Sequence, residues 1–154
     1  MKNYSKMFME VAEITAKQSN CIKYQVGSVV IMDNRIILQG YNGTIPGFIN
    51  CNEKFANSNV NVIERIEHHI WSSAFEVHSE MNVICYAAKK GISLEGSTIF
   101  CTHSPCNNCL KHLIQSGVLM VIYKNDYNDN IDLEEREQLL KYIKLEKYND
   151  NETF

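Results

Sequence analysis

No stretch of the 154 residues approaches the roughly 20 apolar residues of a membrane span, and Met1 to Glu10 has no uninterrupted apolar core of signal-peptide length. These absences point to a soluble, intracellular, cytoplasmic chain. A basic excess is also missing: 15 Lys and Arg stand against 18 Asp and Glu, for a net charge of -3. Proteins that grip nucleic acid through bulk electrostatics carry a basic surface that displaces counterions, so that class is disfavoured, although a small basic pocket stays open. Internal repeats, low-complexity segments and linkers are lacking too, which leaves one domain over residues 1–154. Only two prolines occur, Pro46 in a glycine-rich loop and Pro105 directly before a cysteine. Six cysteines in a chain read as intracellular favour metal ligands over disulfides.

What is there begins with Tyr4, Met7, Phe8, Val11 and Ile14 at helical spacing, which predict an amphipathic helix from Tyr4 to about Gln18. Val26 to Met32 is apolar and β-branched, Asp33-Asn34 is a turn signal, and Arg35 to Gln39 resumes the apolar run, so the pair reads as a hairpin. Gly40 to Gly47 is a glycine and proline loop. The polar, weakly periodic text at about 50–73 reads as an insertion. Beyond it the spacing predicts a helix from Glu80 to Lys90 stopped by Gly91, a strand from Ser97 to Cys101, a helix from Cys106 to Gln115 stopped by Gly117, and a strand from Val118 to Tyr123. This alternation favours a crossover α/β unit with parallel strands and a site at the strand C-termini. Asp132 and Glu135 would box a last helix running to Ile143, with a short strand or a frayed tail from Lys144.

The chemistry centres on His78-Ser79-Glu80 and on Cys106-Asn107-Asn108-Cys109. An imidazole and two thiols make three zinc ligands, and catalytic zinc sites keep the fourth position for water. Both groups stand at predicted helix N-termini, where the helix dipole favours thiolates. Glu80 would stay off the metal and carry protons between water, ring nitrogen and leaving ammonia. The alternative is a purely structural zinc with a fourth ligand from His103, Cys101 or Cys85. Such a site has no need of a glutamate two residues after the histidine.

His-x-Glu with Pro-Cys-x-x-Cys is the described signature of zinc deaminases acting on nucleobases. On it the chain resembles the cytidine deaminase superfamily. Gln25-Val26-Gly27-Ser28-Val29-Val30 and Gly40-Tyr41-Asn42-Gly43 narrow the resemblance to the deoxycytidylate (dCMP) deaminases, over roughly Met7 to Tyr127. The resemblance implies a three-layer α/β/α fold with a five-stranded mixed sheet, one catalytic Zn2+, hydrolysis of dCMP to dUMP and ammonia for thymidylate synthesis, and a homo-oligomer, with a hexamer favoured. It gives Asn42 a contact to deoxyribose, Ser79 a backbone contact to the base, and Tyr127 a place near the substrate, with Ser104 in the same pocket and Lys23 a candidate for the phosphate. The family usually has alanine where this chain has Ser79, and often leucine where it has His103.

The insertion resembles that of the bacteriophage form of these enzymes, which holds a second, structural Zn2+. Cys21, Cys51 and His68 fall at the matching places. The fourth ligand is open. His69 is adjacent, but helix neighbours diverge by about 100°, whereas Glu64 lies one turn from His68. The resemblance also implies activation by dCTP and inhibition by dTTP at a site between subunits, with Gly43 and Lys89 as candidates. Two rivals stand beside this reading: a deaminase of another base or nucleoside, and a catalytically silent zinc domain that senses nucleotides.

Overall fold

The structure is a computed structural model that describes residues 4–56, 62–127 and 131–149, with backbone only for residues 62–64. Helix α1 (Ser5–Ala16) leads into strands β1 (Gly27–Met32) and β2 (Arg35–Tyr41). Asp33 and Asn34 join the two strands with φ of 50° and 61°. That left-handed pair is what a two-residue hairpin turn of matching twist requires.

Strand β3 (Gly43–Thr44), helices α2 (Cys51–Lys54) and α3 (Val62–Phe75), and strand β4 (Glu76–Val77) follow. Then come helix α4 (Ser79–Lys90), strand β5 (Thr98–His103), helix α5 (Asn107–Gln115), strand β6 (Met120–Asn125), helix α6 (Leu133–Leu139) and strand β7 (Lys144–Lys147). The main sheet has five strands in the order β2-β1-β5-β6-β7. Strand β1 runs antiparallel to both neighbours, whereas β5, β6 and β7 are parallel. The expected mixed sheet is therefore present.

Period-two alternation sorts the sheet's side chains to two faces. Val29, Ile31, Phe100 and Ile122 meet Phe8, Met9 and Ala12 of α1. Val30, Ile99, Cys101 and Val121 meet Val83 and Ala87 of α4 and Leu110 and Leu113 of α5. Helices thus cover both faces. Two glycines permit the close approaches: a Cβ on Gly27 would lie 2.1 Å from the Ala12 carbonyl oxygen, and one on Gly40 would lie 2.8 Å from Val83 Cγ2 and 3.1 Å from the Ser79 carbonyl oxygen.

The insertion is more regular than its weak periodicity implied. Its second half is the 14-residue helix α3, fastened to the β3–β4 pair. Phe48, Phe55, Trp71 and Phe75 pack as an aromatic group, with Phe48 and Phe75 centroids 4.8 Å apart. Aromatic packing needs no strict heptad text, which explains why the pattern was faint. The last helix ends at Leu139, short of the expected Ile143, because Ile143 is buried in the core as the chain turns into β7. The tail is a parallel strand, so it does not fray over Lys144–Lys147. Among the described residues no helix is long and apolar enough to cross a membrane.

Candidate active site

His78 is the N-cap of α4, in extended conformation (φ -63°, ψ 154°), and Cys106 is the N-cap of α5 (φ -70°, ψ 165°). The Cys106 sulfur accepts the Cys109 backbone N–H at 3.4 Å. Both thiols face one imidazole nitrogen: His78 Nδ1 lies 3.7 Å from Cys106 Sγ and 3.4 Å from Cys109 Sγ. All three ligand atoms fall within 4.8 Å of one another. Two thiols and an imidazole so close are the donor set that zinc prefers. Among the described residues none of His103, Cys101 and Cys85 joins this group as a fourth ligand.

The hydrogen bond from Cys109, ahead of the one to His78, lowers Cys106 to about 4 against the cost of burial. Cys109, paired with Cys106 and buried, is pushed up. The two thiols therefore hold one proton between them. His78 is raised to about 9, chiefly by its hydrogen bond to Cys106.

Glu80 sits in the first turn of α4 and is only 3% exposed. Burial raises its carboxyl above the usual range, opposed by His78 and by hydrogen bonds from its own backbone and from Ser79. A carboxyl biased toward its neutral form is suited to both taking and giving a proton near neutral pH.

A cleft with a cavity volume of about 70 Å³ opens over these groups. His78, Ser79, Glu80, Cys106, Asn42, Ser104, Tyr127 and Lys23 all line it, so the residues singled out from the sequence for chemistry and substrate converge. Asn42 is held at both ends: Oδ1 accepts the Val26 N–H at 2.8 Å and Nδ2 donates to the Tyr24 carbonyl at 2.8 Å. The Tyr24 ring meets His103 at 5.7 Å and Tyr127 at 5.5 Å, and Lys23 Nζ lies 5.2 Å from its centre. Gly43 lines a separate depression beside β3, while Lys89 is exposed on the last turn of α4 and does not line it.

Cys21, Cys51 and His68 also come together, with His68 Nε2 at 3.7 Å and 3.2 Å from the two sulfurs. Their fourth neighbour is Glu76 of β4. His69 is exposed and outside the group, and the Glu64 side chain lies outside the described residues. Glu76 Oε1 is buried with no hydrogen-bond partner, and so is His68 Nδ1. An orphaned carboxylate oxygen beside two thiols and an imidazole fits a metal ligand. Hydrogen bonding to Cys51 lowers Cys21 to about 4, while the same bond and burial raise Cys51.

Sequence reasoning missed Glu76, Tyr24 and Arg136. Glu76 stands two residues before His78, but its partners Cys21, Cys51 and His68 come from other segments, so its spacing from His78 does not mark it as their neighbour. Arg136 donates to Ser104 Oγ at 2.8 Å, the Pro105 carbonyl at 3.0 Å and Asn107 Oδ1 at 3.3 Å. It buttresses the loop that carries Cys106 from a distance of thirty residues, and no local signal marks it.

Residues 2–125 match the family described as the cytidine and deoxycytidylate deaminase zinc-binding region. The chain belongs to this family of deaminases. The deoxycytidylate deaminase of Enterobacteria phage T2 is 32% identical over 150 residues, covering 79% of this chain and 80% of that protein. Its counterpart in Enterobacteria phage T4 is 31% identical, with coverages of 79% and 78%. The crystal structure of the dCMP deaminase from cyanophage S-TIM5, in complex with dCMP and dUMP, superposes with a TM-score of 0.75 at 35% identity, over 96% of this chain and 99% of that one. The α/β fold with its five-stranded mixed sheet is that of the cytidine deaminases.

Proposed function

We propose that this chain is a single-domain, zinc-dependent enzyme that hydrolyses dCMP to dUMP and ammonia, supplying dUMP for thymidylate synthesis. The observation that carries the reading is the buried Glu80 carboxyl at the floor of the cleft that His78 and Cys106 also line, with Cys109 completing the donor set. His78, Cys106 and Cys109 hold a catalytic Zn2+. When bound, zinc supplies Lewis acidity sufficient to bring the pKa of water from about 16 to near 7.

Glu80 accepts one proton from the attacking water and delivers it to N3 of the cytosine ring, then takes the second from the hydroxyl now on C4 and passes it to the amino group, which leaves as ammonia as the C4 carbonyl forms. Its burial favours each return to the neutral acid. The Ser79 backbone orients the base, and Asn42 presents its pinned amide to the sugar. Tyr127 and Tyr24 wall the cleft, and Lys23 and Ser104 supply cationic and hydroxyl contacts toward the phosphate end.

Cys21, Cys51, His68 and Glu76 hold a second, structural Zn2+ in this reading. The unpartnered Glu76 oxygen supports it. The same reading makes the enzyme a cytoplasmic homo-oligomer, a hexamer, with exposed Ile66 and Ile70 one turn apart on α3 as contact surface. Activation by dCTP and inhibition by dTTP belong to the depression that Gly43 lines, and Lys89 reaches it only from a neighbouring subunit.

The test is ammonia release from dCMP, cytidine and deoxycytidine, each with and without dCTP and dTTP. Release from dCMP alone supports the reading. Release from the nucleosides points to another deaminase class, and release from none to a silent nucleotide-binding domain.

A further inference from the structure

Beneath the cleft lie two buried polar side chains with no part in the mechanism above, Ser28 of β1 and Cys101 of β5, each 0% exposed. They are register partners across the antiparallel pair. Alternation turns them, with Val30 and Ile99, toward the face that α4 covers. Gly40 lets the first turn of α4 settle close to the sheet. The result is a continuous line of contacts: Cys101 Sγ to Ser28 Oγ at 3.2 Å, Ser28 Oγ to Ser79 Oγ at 2.7 Å, and Ser79 Oγ to Glu80 Oε2 at 2.8 Å.

Proton counting gives the line a direction. Each hydroxyl has one proton to donate, and Glu80, in the ionised state in which it takes a proton from water, only accepts. Ser79 gives its proton to Glu80. The 2.7 Å contact therefore uses the proton of Ser28, and the contact with Cys101 uses the proton of the thiol. Burial, together with the Glu80 charge, holds the Cys101 thiol well above its ordinary value, so that proton stays in place. In such dry surroundings a broken link is expensive and a polarised chain strengthens each member.

We propose that Cys101, Ser28 and Ser79 form a one-way hydrogen-bond chain that holds the Glu80 carboxylate by Oε2 and reserves Oε1 for proton exchange in the cleft. The proposal rests on the reading of Glu80 as the proton carrier. A terminal carboxylate torsion is broad and two-fold, so an untethered Glu80 would sample orientations from which proton transfer fails. Tying one oxygen narrows that freedom, which raises the rate without being indispensable to it. Through its hydroxyl Ser79 is a positioning residue, independently of any backbone contact to the base, and Ser28 acts at one remove.

A double-mutant cycle on the zinc-loaded enzyme tests this, with Ser79→Ala, Ser28→Ala and their combination scored for kcat, KM for dCMP, Tm and zinc content. Ser79→Ala is expected to lower kcat about tenfold, the size of one hydrogen bond to a charged group, while KM and zinc content hold. Ser28→Ala, at a residue that does not line the cleft, is expected to lower kcat in the parent and to add nothing once Ser79 is gone. Cys101→Ser, which keeps a donor, should retain more kcat than Cys101→Ala. Parental kcat in both single serine variants, or losses that simply multiply in the combination, overturns the chain. So do losses confined to Tm and KM. If Ser79→Ala does not fold, Ser28→Ala and the two Cys101 variants decide, and parental kcat in Ser28→Ala and Cys101→Ala overturns it. Glu80→Gln separates the two ideas: activity there defeats the proton-carrier reading itself, whereas an inactive Glu80→Gln beside fully active serine variants defeats only the chain.

Discussion

Glu80 and His103 show how one cleft sets two side chains to different tasks. Glu80 is buried and biased toward its acid form, so Glu80→Gln removes the proton carrier without touching a ligand atom. Turnover is expected to fall about a hundredfold or more with zinc content unchanged, as read by single-turnover ammonia release beside metal analysis. His103 is lowered by burial, so it is neutral in the folded chain where the unfolded chain would already be charged. For a histidine depressed in this way the native state binds fewer protons than the unfolded one. Stability is therefore intact above about 6.5, the unfolded value, and is lost as pH falls from there through the folded value. The Tm advantage of His103→Leu over the parent should grow as pH drops below that point. A pH-independent difference in Tm would count against the neutral assignment.

Among the elements, α4 and α5 do the positioning, since each begins on a candidate zinc ligand. The first turn of α4 is set by how closely it meets β2 at Gly40. In Gly40→Ala the added methyl collides with Val83 and with the Ser79 carbonyl, so overpacking should cost about 1–3 kcal/mol in urea unfolding and shift His78 and Glu80 together. Helix α5 is steadied from outside by Arg136 on α6, through Ser104, Pro105 and Asn107. Arg136→Met, which keeps most of the stem, is expected to lose roughly 1–2 kcal/mol and to weaken zinc retention in a chelator competition. These elements were legible to different degrees. The hairpin, α1, α4 and α5 carry their own signals in Asp33-Asn34, in the 3.6-residue spacing and in Gly91. Helix α3 does not, because the aromatic contacts of Trp71 and Phe75 with Phe48 are made with a distant segment.

At the scale of the whole molecule, two donor clusters flank one stretch of chain. Glu76 belongs to one and His78, two residues later, to the other. Zinc analysis is expected to give about two ions per chain, and about one for Cys51→Ser, since each cluster has its own soft donors. Cys51→Ser should also lower Tm, because β4 and α3 lose their tie to the loop that carries Cys21. A single ion in the parent protein would remove the second site.

The sequence by itself determined the identity and spacing of His78, Glu80, Cys106 and Cys109, the alternation that builds two apolar faces, and the helix starts that aim the ligands. All of these are local properties of the chain, set by periods of 2 and 3.6 residues and by caps. Only the tertiary structure decided that Glu76 completes the second cluster, that Arg136 braces the Cys106 loop, and that Ser28 and Cys101 stand behind Ser79. The last follows from strand register between β1 and β5 and from the close approach of α4 at Gly40, whereas Glu76 is placed by the β3–β4 pair and Arg136 by α6 lying against α5. Register and approach are settled by burying both faces of the sheet at once, a condition that no short window of sequence contains.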